Sequence, residues 1–129
     1  MIESTVYFLL SSSHNIVSKV GERIHYAPLP ADVTMPAITY SLQDESDHID
    51  FDDVSTYSSD VQIDAWGKNT SSASRLADEI NKIMMTTKGI INGKEIIAIF
   101  RRNVVIVNEE DAGGWRKSQV YEIYHKKME

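Results

Sequence analysis

The chain has 129 residues, 42% hydrophobic and 25% charged, with no cysteine and a formal charge of −6. That length bounds a single domain, 1–129, with a sizeable core, and the composition is globular, not disordered. The lack of thiols excludes disulfides, thiolate metal sites and a cysteine nucleophile. No stretch approaches the ~20 apolar residues of a membrane helix, and Glu3 with no basic segment before it predicts no secretory signal.

Ile2, Val6, Leu9 and Leu10 recur at helical spacing, with Glu3 placed where it favours the helix dipole. Ser11-Ser-Ser13-His14-Asn15 weakens that helix, and a short amphipathic turn with Ile16, Val17 and Val20 follows, ended by Gly21. Residues 26–36 hold all three prolines and predict a stiff, irregular connection. From Ala37 to Leu42 the pattern alternates as a strand, with Ile38, Tyr40 and Leu42 on its buried face.

Six acids follow with no Lys or Arg between them: Asp44, Glu45, Asp47, Asp50, Asp52 and Asp53. Elsewhere 13 acids face 13 bases, so this segment, read as a long solvated loop, carries the whole charge excess. A balanced body with one acidic segment is a poor nucleic-acid binder.

Asp60-Val-Gln-Ile-Asp-Ala-Trp66 alternates again, with Val61, Ile63 and Ala65 on the buried face. It pairs antiparallel with the preceding strand. A Gly67-Lys68-Asn69 turn then leads to a helix over 70–87, capped by Thr70 or Ser71 and stopped by Lys88 and Gly89. Its stripe is Ala73, Leu76, Ala77, Ile80, Ile83 and Met84. Asn92-Gly93 predicts a type I′ turn between Ile90-Ile91 and residues 95–100. Arg101 and Arg102 interrupt before the apolar run Val104–Val107, and Trp115 to His125 forms the last strand. The expected fold is α+β, an antiparallel or mixed sheet of about four strands with two helices on one face.

No catalytic grouping emerges. An EF-hand loop begun at Asp44 would place Ile49 at its sixth position and Ser55 at its twelfth, where Gly and Glu are required. His14, His25, His48 and His125 have no ligand spacing and read as surface or half-buried structural residues. Ser11–Ser13 beside His14 lack a nucleophile elbow, and no phosphate-binding glycine motif is present. Neither a metal nor a cofactor is expected. Arg101 and Arg102 are a surface pair or an interface contact. Trp66 and Trp115 either complete the core or serve as interface anchors.

Together, Lys19-Val-Gly-Glu-Arg-Ile24, Met35-Pro-Ala-Ile-Thr-Tyr40, the block from Val61 to Ile80 and Trp115-Arg-Lys-Ser-Gln-Val-Tyr121 resemble the tail-completion proteins of long-tailed bacteriophages and prophages, also called tail terminators or tail-to-head joining proteins. The resemblance implies a structural protein, not an enzyme, without a cofactor, that caps the tail tube as a hexameric ring and forms the tail side of the head–tail joint. It implies as partners further copies of the chain, the tail-tube protein and a head connector or head-closure protein, with no membrane and no specific nucleic acid. Its place would be the host cytoplasm during assembly and then the virion. The alternative is a small cytoplasmic ligand-binding or regulatory domain, monomeric or dimeric.

Overall fold

A computed structural model describes residues 2–49 and 55–127. Three helices, a six-stranded mixed sheet and one 3-10 turn make up these residues. Helix α1 is Ile2–Ser12 and α2 is His14–Val20. Ser13 separates them: its extended backbone ends the first helix, and its hydroxyl accepts from the Ile16 N–H to start the second. Gly21, at φ 58°, closes α2 through its N–H to the Val17 carbonyl, a backbone conformation glycine adopts cheaply.

Strands β1 (Ile24–Tyr26), β2 (Ala37–Ile49) and β3 (Ser55–Gly67) precede helix α3 (Thr70–Thr86). Strands β4 (Gly89–Ile91), β5 (Lys94–Glu109) and β6 (Gly114–Lys127) complete the sheet. The spatial order is β1-β2-β3-β6-β5-β4. All pairings are antiparallel except β1 with β2. That parallel pair is reached through the proline-rich connection, and its register is Ile24↔Ile38.

The expected four strands and two helices are therefore corrected to six and three. Two of the strands, β1 and β4, have only three residues each, too few to leave a period in the sequence. The Arg101-Arg102 break is a bulge inside one 16-residue strand, between Arg101 and Asn103 in the pairing to β6; an extra residue of this kind disturbs alternation without ending a strand. The acidic loop is corrected too. Strand β2 continues as backbone through Asp47 to Ile49 and pairs with β3 up to Ile49↔Ser55, with an irregularity between Leu42 and Asp44.

The core lies between the helices and one face of the sheet. Ile2, Val6, Leu10, Ile16 and Val20 from the first two helices meet Ile38, Val61, Ile63, Tyr121 and Ile123, with Leu76, Ala77, Ile80 and Met84 of α3. The predicted α3 stripe is buried except Ile83, which is half-buried. Its cap is Asn69, whose side chain accepts from the Ser72 N–H at 2.8 Å, not Thr70 or Ser71. Asn92 and Gly93, at φ 49° and 79°, make the predicted tight turn, since both central residues of a type I′ turn need positive φ. Close packing fixes Gly67 and Gly114 at the ends of β3 and β6: a Cβ on Gly67 would lie 2.5 Å from the Ala73 backbone nitrogen, and one on Gly114 2.6 Å from the Gly67 carbonyl oxygen.

Candidate interface surfaces and buried polar groups

The opposite face of β3 is covered as well. The 27–33 connection folds over it, and Met35, Ala37 and Trp66 form a second apolar cluster with Leu29 and Val33 packed against it. Trp66 is thus core, 8% exposed, and its indole N–H donates to Thr39 Oγ1 at 2.9 Å. Thr39 donates onward to Asp64 Oδ2 at 3.1 Å, while Gln62 donates to Asp64 Oδ1 at 2.9 Å and Ser118 to the same oxygen at 2.5 Å. Asp64 lies on the face opposite Val61, Ile63 and Ala65; the loop above buries it, and these donors offset the loss of water. Arg116 stands 3.7 Å from Asp64, bonds Glu109 at 2.8 Å and lies over the Trp66 ring. A cavity of about 760 Å³ opens above this network, with Gln62, Asp64, Trp66 and Arg116 in its wall. Trp115 is partly buried and pairs with Gly67 and Asn108.

His125 corrects the reading of the histidines as surface or half-buried, being 1% exposed. Its Nε2 lies 2.8 Å from Ser59 Oγ, and Ser59 donates its single proton to Glu45 Oε1 at 2.8 Å. The imidazole must therefore donate from Nε2, which leaves Nδ1 buried and without a hydrogen-bond partner. Burial, with further help from the charge of Lys94, lowers its pKa to about 4, against a smaller opposing pull from Glu45. Serine, histidine and carboxylate touch here, but the carboxylate holds the serine and not the imidazole, the reverse of a nucleophile-activating order. His125 and Tyr57 also stack, with centroids 5.6 Å apart. Strand alternation was the available signal, since it set His125 on one face with Tyr121 and Ile123.

Of the six acids, Asp44 and Glu45 are exposed on β2, Asp47 lies farther along the same strand, and Asp50, Asp52 and Asp53 fall outside the described residues. Asp44 stands directly opposite Asp60, and Asp60 opposite Glu122. Burial raises the Asp60 pKa, with Glu122 and Asp44 adding to the effect and Arg102 opposing it. At the far end of this row Arg102 forks onto Glu122, whose pKa the contact lowers. Arg101 instead donates to the neutral amide of Gln119 at 3.0 Å. The sheet thus separates the two charge signs, with the acids on the β2 side and the arginine pair on β5. Among the described residues no group of three or more His, Asp or Glu side chains could hold a metal ion, and no helix is long and apolar enough to cross a membrane.

The molecule is thus a curled mixed sheet with its helices on one face, acids on its β2 side and an arginine pair on β5. The chain belongs to the family described as tail completion protein gp17, whose pattern matches residues 4–126, and it is a structural component of a bacteriophage-type tail. Its fold is similar to that of a chain in the virion of a native gene transfer agent particle, with a TM-score of 0.78 and 16% identity over 97% of this chain and 94% of that one. No curated relative matches.

Proposed function

We propose that this protein caps the finished tail tube and forms the tail side of the head–tail joint as a hexameric ring, with the tube protein and a head connector or head-closure protein as neighbours. The observation that carries this reading is the family match across nearly the whole chain. The role is architectural and requires neither catalysis nor a cofactor, and the inverted Ser59–His125–Glu45 order accords with that. Assembly takes place in the host cytoplasm, before the chain becomes part of the virion.

The acids of 44–53 lie on the ring lumen or against a neighbouring protein. On the lumen they repel passing DNA by a like-charge effect that salt weakens. Replacing all six by Asn and Gln separates the two placements: the lumen predicts normal joining with impaired DNA passage, and docking predicts failed joining. The ring itself is tested by native mass spectrometry with and without tail tubes, which should give a particle of six 14.6 kDa subunits. A stable twofold dimer burying well over about 1,600 Å² would overturn it.

A further inference from the structure

The sheet does not close on itself. Strand β4 covers β5 only at Lys94, Glu95 and Ile96, so residues 97–109 of β5 pair with β6 on one side and, among the described residues, with no strand on the other. At the opposite side β1 covers β2 only from Ile38 to Tyr40, which leaves residues 43–49 of β2 equally open. An uncovered edge presents a row of backbone donors and acceptors ready to pair with another chain.

The two edges are not alike. On β5, Phe100, Val104, Val105 and Ile106 are each 41–45% exposed. The register places Val104 opposite Gln119 and Val105 opposite Ser118, so both faces of this edge strand display apolar side chains. Arg101 and Arg102 lie on the same edge. The β2 edge instead carries Asp44, Glu45 and Asp47.

We propose that the β5 edge of one copy adds to the β2 edge of the next, continuing the sheet from subunit to subunit with Arg101 set against Glu45, both on the helix-covered face. This rests on the ring reading above and specifies its joint. The occupant is a second copy because the complementary edge is on this chain. Pairing like edges would set Arg101 and Arg102 beside their own counterparts, or three acids beside three acids, and like charges opposed across strands destabilise a pair. Unlike edges join head to tail, and such contacts generate rings when the rotation closes. Seven open residues on β2 permit a ladder of roughly 23 Å at about 3.3 Å per residue. Within one subunit Arg102 is already engaged by Glu122, so Arg101, whose partner is a neutral amide, supplies the charge at the joint.

The absence of cysteine makes the joint directly testable. The variant carrying Ser46→Cys and Val105→Cys, treated with a short bismaleimide, should give a covalent ladder ending at a closed hexamer, while either substitution alone gives monomer. Separately, Arg101→Glu and Glu45→Lys should each raise the concentration needed for assembly at least tenfold, and their combination should restore it to within about twofold. Circular dichroism of each variant at high dilution verifies that the subunit stays folded. Hexamers that form without the double-cysteine ladder, or single charge reversals that assemble like the parent, would overturn the edge joint and leave the ring standing. A parent chain that stays monomeric at every concentration and at tube ends, with no ladder, would overturn both. Dimers from Val105→Cys alone would show like edges pairing and overturn the proposal.

Discussion

Acidification should unfold this protein partly through one residue. His125 is buried neutral, donating to Ser59, with Nδ1 facing no acceptor. A second proton would add an unsatisfied buried donor and a charge near Lys94, which is why its folded pKa falls to about 4, whereas an unfolded histidine titrates near 6.5. The sign is set by proton uptake. Above about pH 6.5 neither state binds the proton and the stability is intact; as the pH falls from 6.5 towards 4 only the unfolded chain takes it up, and stability is lost. Two-state linkage with these two values gives a loss of about 2 kcal/mol between pH 7.5 and pH 5 from this group alone. Urea denaturation of the parent and of His125→Gln at both pH values measures it. The variant is less stable at pH 7.5 but lacks this contribution to the slope, so the parent should lose about 2 kcal/mol more than the variant over the interval. Parallel pH profiles would refute the assignment of a neutral, proton-resisting His125.

Other substitutions probe the packing. Ile80→Ala empties a fully buried site between α3 and the sheet and should cost roughly 2–5 kcal/mol in urea denaturation. Asn69→Ala removes the α3 cap and should cost about 1 kcal/mol, with Asn69→Ser losing much less. Gly114→Ala drives a methyl into the Gly67 carbonyl and should lower stability by about 1–3 kcal/mol or more. Thermal melts should rank Gly114→Ala below Lys68→Ala, a change at an exposed residue of the neighbouring turn.

What the sequence disclosed follows from where burial is one-sided. Helix α3 and the buried face of β3 were legible because Leu76, Ile80, Val61 and Ile63 sit on elements with one apolar stripe each. The second half of β2 was not, because Asp44, Glu45 and Ser46 are all exposed and a strand without apolar side chains on either face has no alternation to display. The burial of Asp64 was not legible in alternation because its cover is a proline-rich connection, whose path over the sheet no local pattern encodes. The charge asymmetry was visible as composition, yet its meaning depended on the strand order. Only the order β1-β2-β3-β6-β5-β4 sets the acids and Arg101 at opposite sides of one sheet.

That order also explains how stability and assembly can be divided within a small chain. The helix-covered face is fully packed, with Ile16, Ile38, Leu76 and Tyr121 all at 0% exposure, and the other face is sealed around Trp66 by hydrogen-bonded polar groups. The exposed β-branched residues Val104, Val105 and Ile106 therefore add little to the stability of the isolated subunit, since they touch no complete core. Strand-edge apolar residues usually invite aggregation, and natural proteins guard them with charge. Here Arg101 and Arg102 stand beside the run without interrupting it, an arrangement that discourages like edges from meeting and favours an acidic one. Substitutions at Val104, Val105 and Ile106 should accordingly separate from those in the core, altering association while leaving the folded subunit nearly as stable as before.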